Sequence, residues 1–277
     1  MAIKLSDAET EKLNDLNKLI EFGYGSFSSI NTSWLGMKKR KQVLFQMFTA
    51  MHSQVLSISL LLGTGRTFSV EILLRSVQET LINANYILIG RNNLTVNRFL
   101  VGSNHKLIGQ INKMLKYYKN NPEHDSGSPL LDLKALKKAL LKRENETKAY
   151  LRQFSYDIPI KEPSVEERVI AIDKEYIRLR HKTPKVSQQW MYLTQYWLGS
   201  EHVHLSARGL LNYAKPTKDN VVLLLDGDKD DIEKCIIITS AMYTDMLYIL
   251  SDQFKTPKRK DLKYWANKIK ENSKRPE

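Results

Sequence analysis

Between residues 187 and 213 the chain reads SQQWMYLTQYWLGSEHVHLSARGLLNY, and its hydroxyls and imidazoles are the side chains best suited to chemistry. At helical period Tyr192, Tyr196, Ser200 and His204 fall at successive i,i+4 positions. Leu193, Val203, Ala207 and Leu211 lie on or beside the same face. A serine and a histidine in an apolar stripe cost stability unless something hydrogen-bonds them. Residues 69–89 (SVEILLRSVQETLINANYILI) offer partners, because Arg75 and Glu79 share a face there with Ile72, Ile82 and Tyr86. The expectation is one polar cluster of Arg75, Glu79, Ser200 and His204. Tyr192, Tyr196, His202, Ser206 and Arg208 are its expected substrate-binding surroundings.

Two readings of that cluster stay open. As a clasp, a buried Arg–Glu pair and a satisfied core histidine hold helices in register, although desolvation offsets much of the Coulomb gain. As a catalytic site, His204 is a general acid or base, since a part-buried imidazole beside a carboxylate titrates near neutral pH. Ser200 activated by His204 lacks an acid partner and an oxyanion signature. His202-x-His204 is not a metal pair, because residues two apart on a helix point about 200° away from each other. Asp226, Asp228, Asp230 and Asp231 lack the glutamate at position twelve of a calcium loop. Phosphate-loop, dinucleotide, nucleophile-elbow, H-E-x-x-H and zinc-type cysteine motifs are absent from the sequence. No cofactor and no metal is expected.

The segments LLRSVQETLINANYI and YLTQYWLGSEHVHLSARG together resemble an uncharacterised bacterial all-helical family. Its members share an R-S-x-x-E helix and a Y-x-x-x-S-x-x-V-H-x-S helix. Here these are Arg75, Ser76 and Glu79, then Tyr196, Ser200, Val203, His204 and Ser206. The resemblance spans about residues 43–213 and implies no established activity. A more distant resemblance is to the HEPN helical bundles, many of which are metal-independent ribonucleases in toxins and phage defence. Their hallmark is Arg, four to six residues, then His on one helix, which Arg98 and His105 match. Phe99 stands where a polar residue usually follows the Arg. That resemblance implies RNA or another nucleic acid as substrate and a homodimer as the assembly. Arg75 with His204 would be a split version of the same chemistry.

The composition leaves room for such a partner. With 43 Lys and Arg against 30 Asp and Glu, the net charge of the 277 residues is +13. The excess gathers at KKRK (38–41), across 134–152 and in the segment 255–277, which carries nine Lys or Arg against three acids. A basic surface favours nucleic acid, and the alternative is a non-enzymatic binding or scaffold protein with solvated lysines. One cysteine, Cys235, permits no internal disulfide. The charged N-terminal sequence shows no signal peptide, and the apolar run at 43–63 is interrupted by Gln46, His52 and Gln54. A cytoplasmic protein without a transmembrane segment is expected.

Periodicity predicts an all-α fold of about nine helices with little or no β. Expected helices run from Ser6 to about Phe22, through Leu62, from Ser69 to Ile89 and from Thr95 to about Lys119. Further ones cover 130–154, 164 to before Pro184, 187–213, 230–253 and from Pro257 to about 271. Loops fall at Gly23–Ser29 and 120–129, and 221–225 reads as an isolated extended run. One domain is expected over 1–277. Its core bundle would be 34–89 and 187–253, its outer layer 95–182 and its basic C-terminal helix 257–273.

Overall fold

Two reciprocal capping boxes set the entry of two helices. The Ser6 amide donates to Glu9 Oε2 at 2.7 Å while the Glu9 amide donates to Ser6 Oγ at 3.2 Å. The Ser164 and Glu167 pair repeats this at 2.6 and 3.1 Å. Each box satisfies amides that a helix start leaves unpaired. The computed structural model describes residues 5–28, 30, 38–89, 94–122, 129–152, 163–180, 187–193, 214–216, 221–223 and 231–273.

Among these residues the fold is all-α. In chain order come α1 (Asp7–Ser28), α2 (Lys39–Gly63), α3 (Thr67–Ile89), α4 (Leu94–Asn120), α5 (Pro129–Arg152), α6 (Val165–Arg180) and α7 (Gln188–Met191). A two-stranded ribbon of β1 (Ala214–Pro216) and β2 (Val221–Leu223) follows, then α8 (Ile232–Phe254) and α9 (Arg259–Asn272).

Three expectations are corrected. The helix expected to stop near Phe22 continues through Gly23, Gly25 and the serines to Ser28, because packing against Tyr243 decides the backbone there. The extended run at 221–225 is not alone, since Val221 pairs with Pro216 and Leu223 with Ala214 in antiparallel register. Pro216 favours this, because the residue before a proline is pushed to extended backbone. The third correction concerns α3, which starts at Thr67 and not after Ser69, directly behind the turn where Gly65 takes a φ of 75°. The expected cap at Asn31–Ser33 and the body of the 187–213 helix from residue 194 lie outside the described residues.

The chain divides into two compact units, one of Met1–Asn85 with Val169–Glu277, the other of Tyr86–Arg168. In the first, α1, α2 and α8 pack on one another and α9 packs on α8. α2 is long and apolar enough to cross a membrane. Its buried face is Val43, Leu44, Phe48, Met51, Val55, Ile58, Ser59 and Leu62. Lys41, in its basic first turn, sits 5.3 Å from the centre of the Phe254 ring, a cation–π contact.

Tyr243 is the polar point of this core. Its side chain is fully buried, and its hydroxyl lies 2.6 Å from His52 Nδ1. Phe48 stacks on both rings at 5.8 Å, and Tyr24 stacks on His52 at 5.9 Å. Burial pushes the Tyr243 phenol up, so it is the proton donor and His52 the neutral acceptor. Burial likewise holds the His52 imidazole below its ordinary value of 6.5. The folded chain therefore binds this proton less readily than the unfolded chain. Its contribution to stability is complete above about 6.5 and is lost as pH falls through and below that value. Melting temperature is expected to drop between about pH 7.5 and 5.5 with a steeper slope in the wild type than in His52→Gln. Equal slopes would remove His52 from the pH dependence.

In the second unit α4 and α5 form an antiparallel pair. Ile108 and Ile111 pack on Leu140, with Leu115 and Leu133 completing the seam. Thr95, expected to start its helix, lies in the first turn of α4 and donates from Oγ1 to the Ile87 carbonyl at 2.9 Å. That bond ties the start of α4 to the last turn of α3.

Candidate functional site

Of the residues expected to build the site, Arg75, Glu79, Tyr192, Arg98 and His105 are described. Ser200, His204, Tyr196, His202, Ser206 and Arg208 lie outside the described residues. Arg75 and Glu79 sit one turn apart on α3, both half-buried, and both engage in polar or charged interactions. Their face is open at Ile72, 39% exposed, and closed at Ile82 and Tyr86. The neighbouring polar groups join helices. Gln54 of α2 donates from Nε2 to Ser76 Oγ at 2.8 Å. Gln78, itself buried, donates to the Met191 carbonyl at the end of α7 at 3.0 Å. Tyr192 follows directly, half-buried. The R-S-x-x-E helix thus uses its serine and a flanking glutamine to bind α2 and α7.

Arg98 and His105 stand on α4, seven residues and so two turns apart on one side of the helix. The α4–α5 register brings Glu144 to His105, with Oε2 3.8 Å from Nδ1, an ion-pair distance longer than a hydrogen bond. The two partners differ in environment. His105 is 57% exposed and Glu144 5%. Glu144 Oε1 is held by Lys148 one turn on, whereas Oε2 is buried and has no hydrogen-bond donor among the described residues. A buried carboxylate oxygen left unsatisfied costs about 1–3 kcal/mol, so its position opposite an imidazole has consequence. Nδ1 is the ring nitrogen beside the carboxylate, and more than half of the imidazole side chain is exposed.

Two arginines of the same unit have an enclosed Nε. Arg98 is half-buried, with an enclosed Nε that has no hydrogen-bond partner among the described residues. Arg168, 2% exposed, lies over the Phe99 ring at 5.6 Å from its centre. The Phe99 ring thus carries a guanidinium. The local field is basic: α4 holds five Lys or Arg and no acid, and α5 seven against three acids. An arrangement of imidazole, buried carboxylate and guanidinium can exchange a proton at Nε2 and hold an anion nearby.

Glu144 was not anticipated from the sequence. The signal was present, because Leu133, Leu140 and Glu144 share one helical stripe, and a carboxylate in an apolar stripe needs a partner. Among the described residues no group of three or more His, Cys, Asp or Glu could hold a metal ion.

A family model for a family of unknown function, DUF5677, matches residues 41–221. The chain belongs to DUF5677. No curated protein and no solved structure matches it. The DUF5677 span runs from the first turn of α2 to the first residue of β2, and includes the R-S-x-x-E helix, the Y-x-x-x-S-x-x-V-H-x-S segment and Arg98, His105 and Glu144. α1, α8 and α9, which complete the packing around α2 and Tyr243, lie beyond it.

Proposed function

We propose that this DUF5677 protein is a metal-independent, HEPN-like endoribonuclease whose reacting groups are His105 and Arg98, with Glu144 as the residue that positions His105. The observation that carries the reading is the exposed His105 ring with its Nδ1 edge turned to a buried carboxylate, two turns from Arg98. His105 Nε2 takes the proton of a ribose 2′-hydroxyl. The 2′-oxygen then bonds to the adjacent phosphorus, and the bond from phosphorus to the 5′-oxygen breaks. The leaving 5′-oxygen takes a proton from water to become a 5′-hydroxyl, the His105 imidazolium returns its proton to the hydroxide left, and the other fragment ends in a 2′,3′-cyclic phosphate. Arg98 balances the charge that builds on the phosphoryl oxygens. Glu144 orients the ring and balances the imidazolium that forms. Because the nucleophile belongs to the substrate, the step needs no metal-activated water. In this reading the protein is an effector of antiphage defence in the bacterial cytoplasm.

The test is incubation of the full chain with end-labelled RNA in EDTA, beside the same RNA carrying one 2′-deoxynucleotide. Cleavage with cyclic phosphate ends, blocked at the deoxy position alone, is the expected result. Cleavage at the deoxy position, or none anywhere, would remove the proposed chemistry.

A second reading has its own observation. The bonds from Gln54 to Ser76 and from Gln78 to Met191 give the α3 face a role in joining helices. In that reading Arg75, Glu79, Ser200 and His204 form a structural clasp and the basic faces serve a binding or scaffold protein.

A further inference from the structure

The segment of α4 beyond His105 has a feature that proton transfer does not use. Tyr117 is 50% exposed, and its ring is braced edge-on by Tyr118 at 5.8 Å between centres. Near it stand Lys113 and Lys116, both exposed, while exposed Lys119, two residues on, is turned about 200° away, and α4 has no acid to neutralise them. Lys116 falls three turns beyond His105 on nearly the same side, and Lys113 is one turn before Tyr117. The rise from His105 to Tyr117 is about 18 Å at 1.5 Å per residue. At the stacked spacing of about 3.4 Å per phosphate, that is about five nucleotides.

We infer that the exposed side of α4 is a track for single-stranded RNA, with Tyr117 as a base-stacking platform and Lys113 and Lys116 on the phosphates. The inference rests on the ribonuclease reading for the end of the track at His105. Tyr117 engages a single strand and not a duplex. An aromatic face recruits a base only when that base is unstacked, whereas paired bases are closed to it. The lysines bind either form through charge alone. Tyr117 therefore supplies the discrimination and the lysines the affinity.

The experiment measures binding of a fluorescent 2′-O-methyl RNA twelve-mer, which has no free 2′-hydroxyl to react, to the full wild-type chain, Tyr117→Ala and Tyr117→Phe. A duplex of the same sequence is the second probe. Tyr117→Ala is expected to weaken the single strand about tenfold or more, as loss of a base–aromatic stack does. Tyr117→Phe keeps the affinity, and the duplex is bound alike by all three. No single-strand binding by the wild type, or equal binding by wild type and Tyr117→Ala, overturns the track. The two proposals fail separately. Binding through Tyr117 without RNA cleavage leaves the track and removes the nuclease, while cleavage with unchanged Tyr117→Ala binding does the reverse.

Discussion

His105→Ala is expected to lower the rate of RNA cleavage about 10²- to 10⁴-fold, the range that a general base contributes. Its melting temperature should stay close to that of the wild type, because the side chain is more than half exposed. Arg98→Ala removes charge from the phosphoryl oxygens and should lower the rate with little change in affinity for RNA, since the interaction strengthens as the reaction proceeds. Glu144→Gln is the informative intermediate. Glutamine keeps the shape of the buried side chain but offers an N–H to Nδ1, which moves the ring proton to Nε2, the wrong tautomer for a base. Its rate loss should be large but smaller than that of His105→Ala. Single-turnover cleavage assays with melting temperatures measured in parallel decide this. A Glu144→Gln enzyme with wild-type rate would detach the carboxylate from the chemistry.

The second large effect is on stability, at Gly23. In an exposed helix interior, glycine to alanine gains about 0.5–1 kcal/mol by restricting the unfolded chain. Gly25, with open space around the position of its absent side chain, should follow that rule. Gly23 should reverse it. A Cβ there would lie 2.1 Å from the Tyr243 hydroxyl oxygen and 2.8 Å from Cζ, well inside contact. Tyr243 is fully buried and stacked on Phe48, so the ring cannot retreat without disturbing the core. Overpacking and loss of the bond to His52 together should cost about 2–4 kcal/mol. At this chain length the melting temperature should fall by roughly 5–15 °C. In Gly23→Ala/Tyr243→Phe the worst contact is gone but Cζ is still too close, so only part of the loss should return, and a double-mutant cycle measures that coupling. A Gly23→Ala protein as stable as the wild type would mean that Tyr243 has room to move.

These two positions also show which parts of the molecule were legible in the sequence. The helices were, because the 3.6-residue period and the capping boxes at Ser6 and Ser164 are local signals that the structure realises. Gly23 was misread as a loop, because glycine breaks helices by local propensity and only the tyrosine 220 residues away makes it necessary inside one. The bond between His52 and Tyr243 spans 191 residues and leaves no local mark. Arg98 and His105 were visible as a spacing on one helix. Their partner Glu144 was missed although it continues the Leu133 and Leu140 stripe, since among seven lysines and arginines it reads as part of a solvated face, and only the antiparallel register with α4 names His105 as its partner. Arg75 and Glu79 stood out because they interrupt an apolar helix. The half-burial of that face, and the ties that Gln54 and Gln78 make beside it, depend on the neighbouring helices α2 and α7.

The most direct test sets the two histidines against each other. Single-turnover cleavage of end-labelled RNA in EDTA would be measured for the wild type, His105→Ala and His204→Ala, all matched for thermal melting. The account predicts that His105→Ala loses cleavage while His204→Ala retains it. Cleavage that survives in His105→Ala and disappears in a stably folded His204→Ala would contradict the account and move the chemistry to the R-S-x-x-E face.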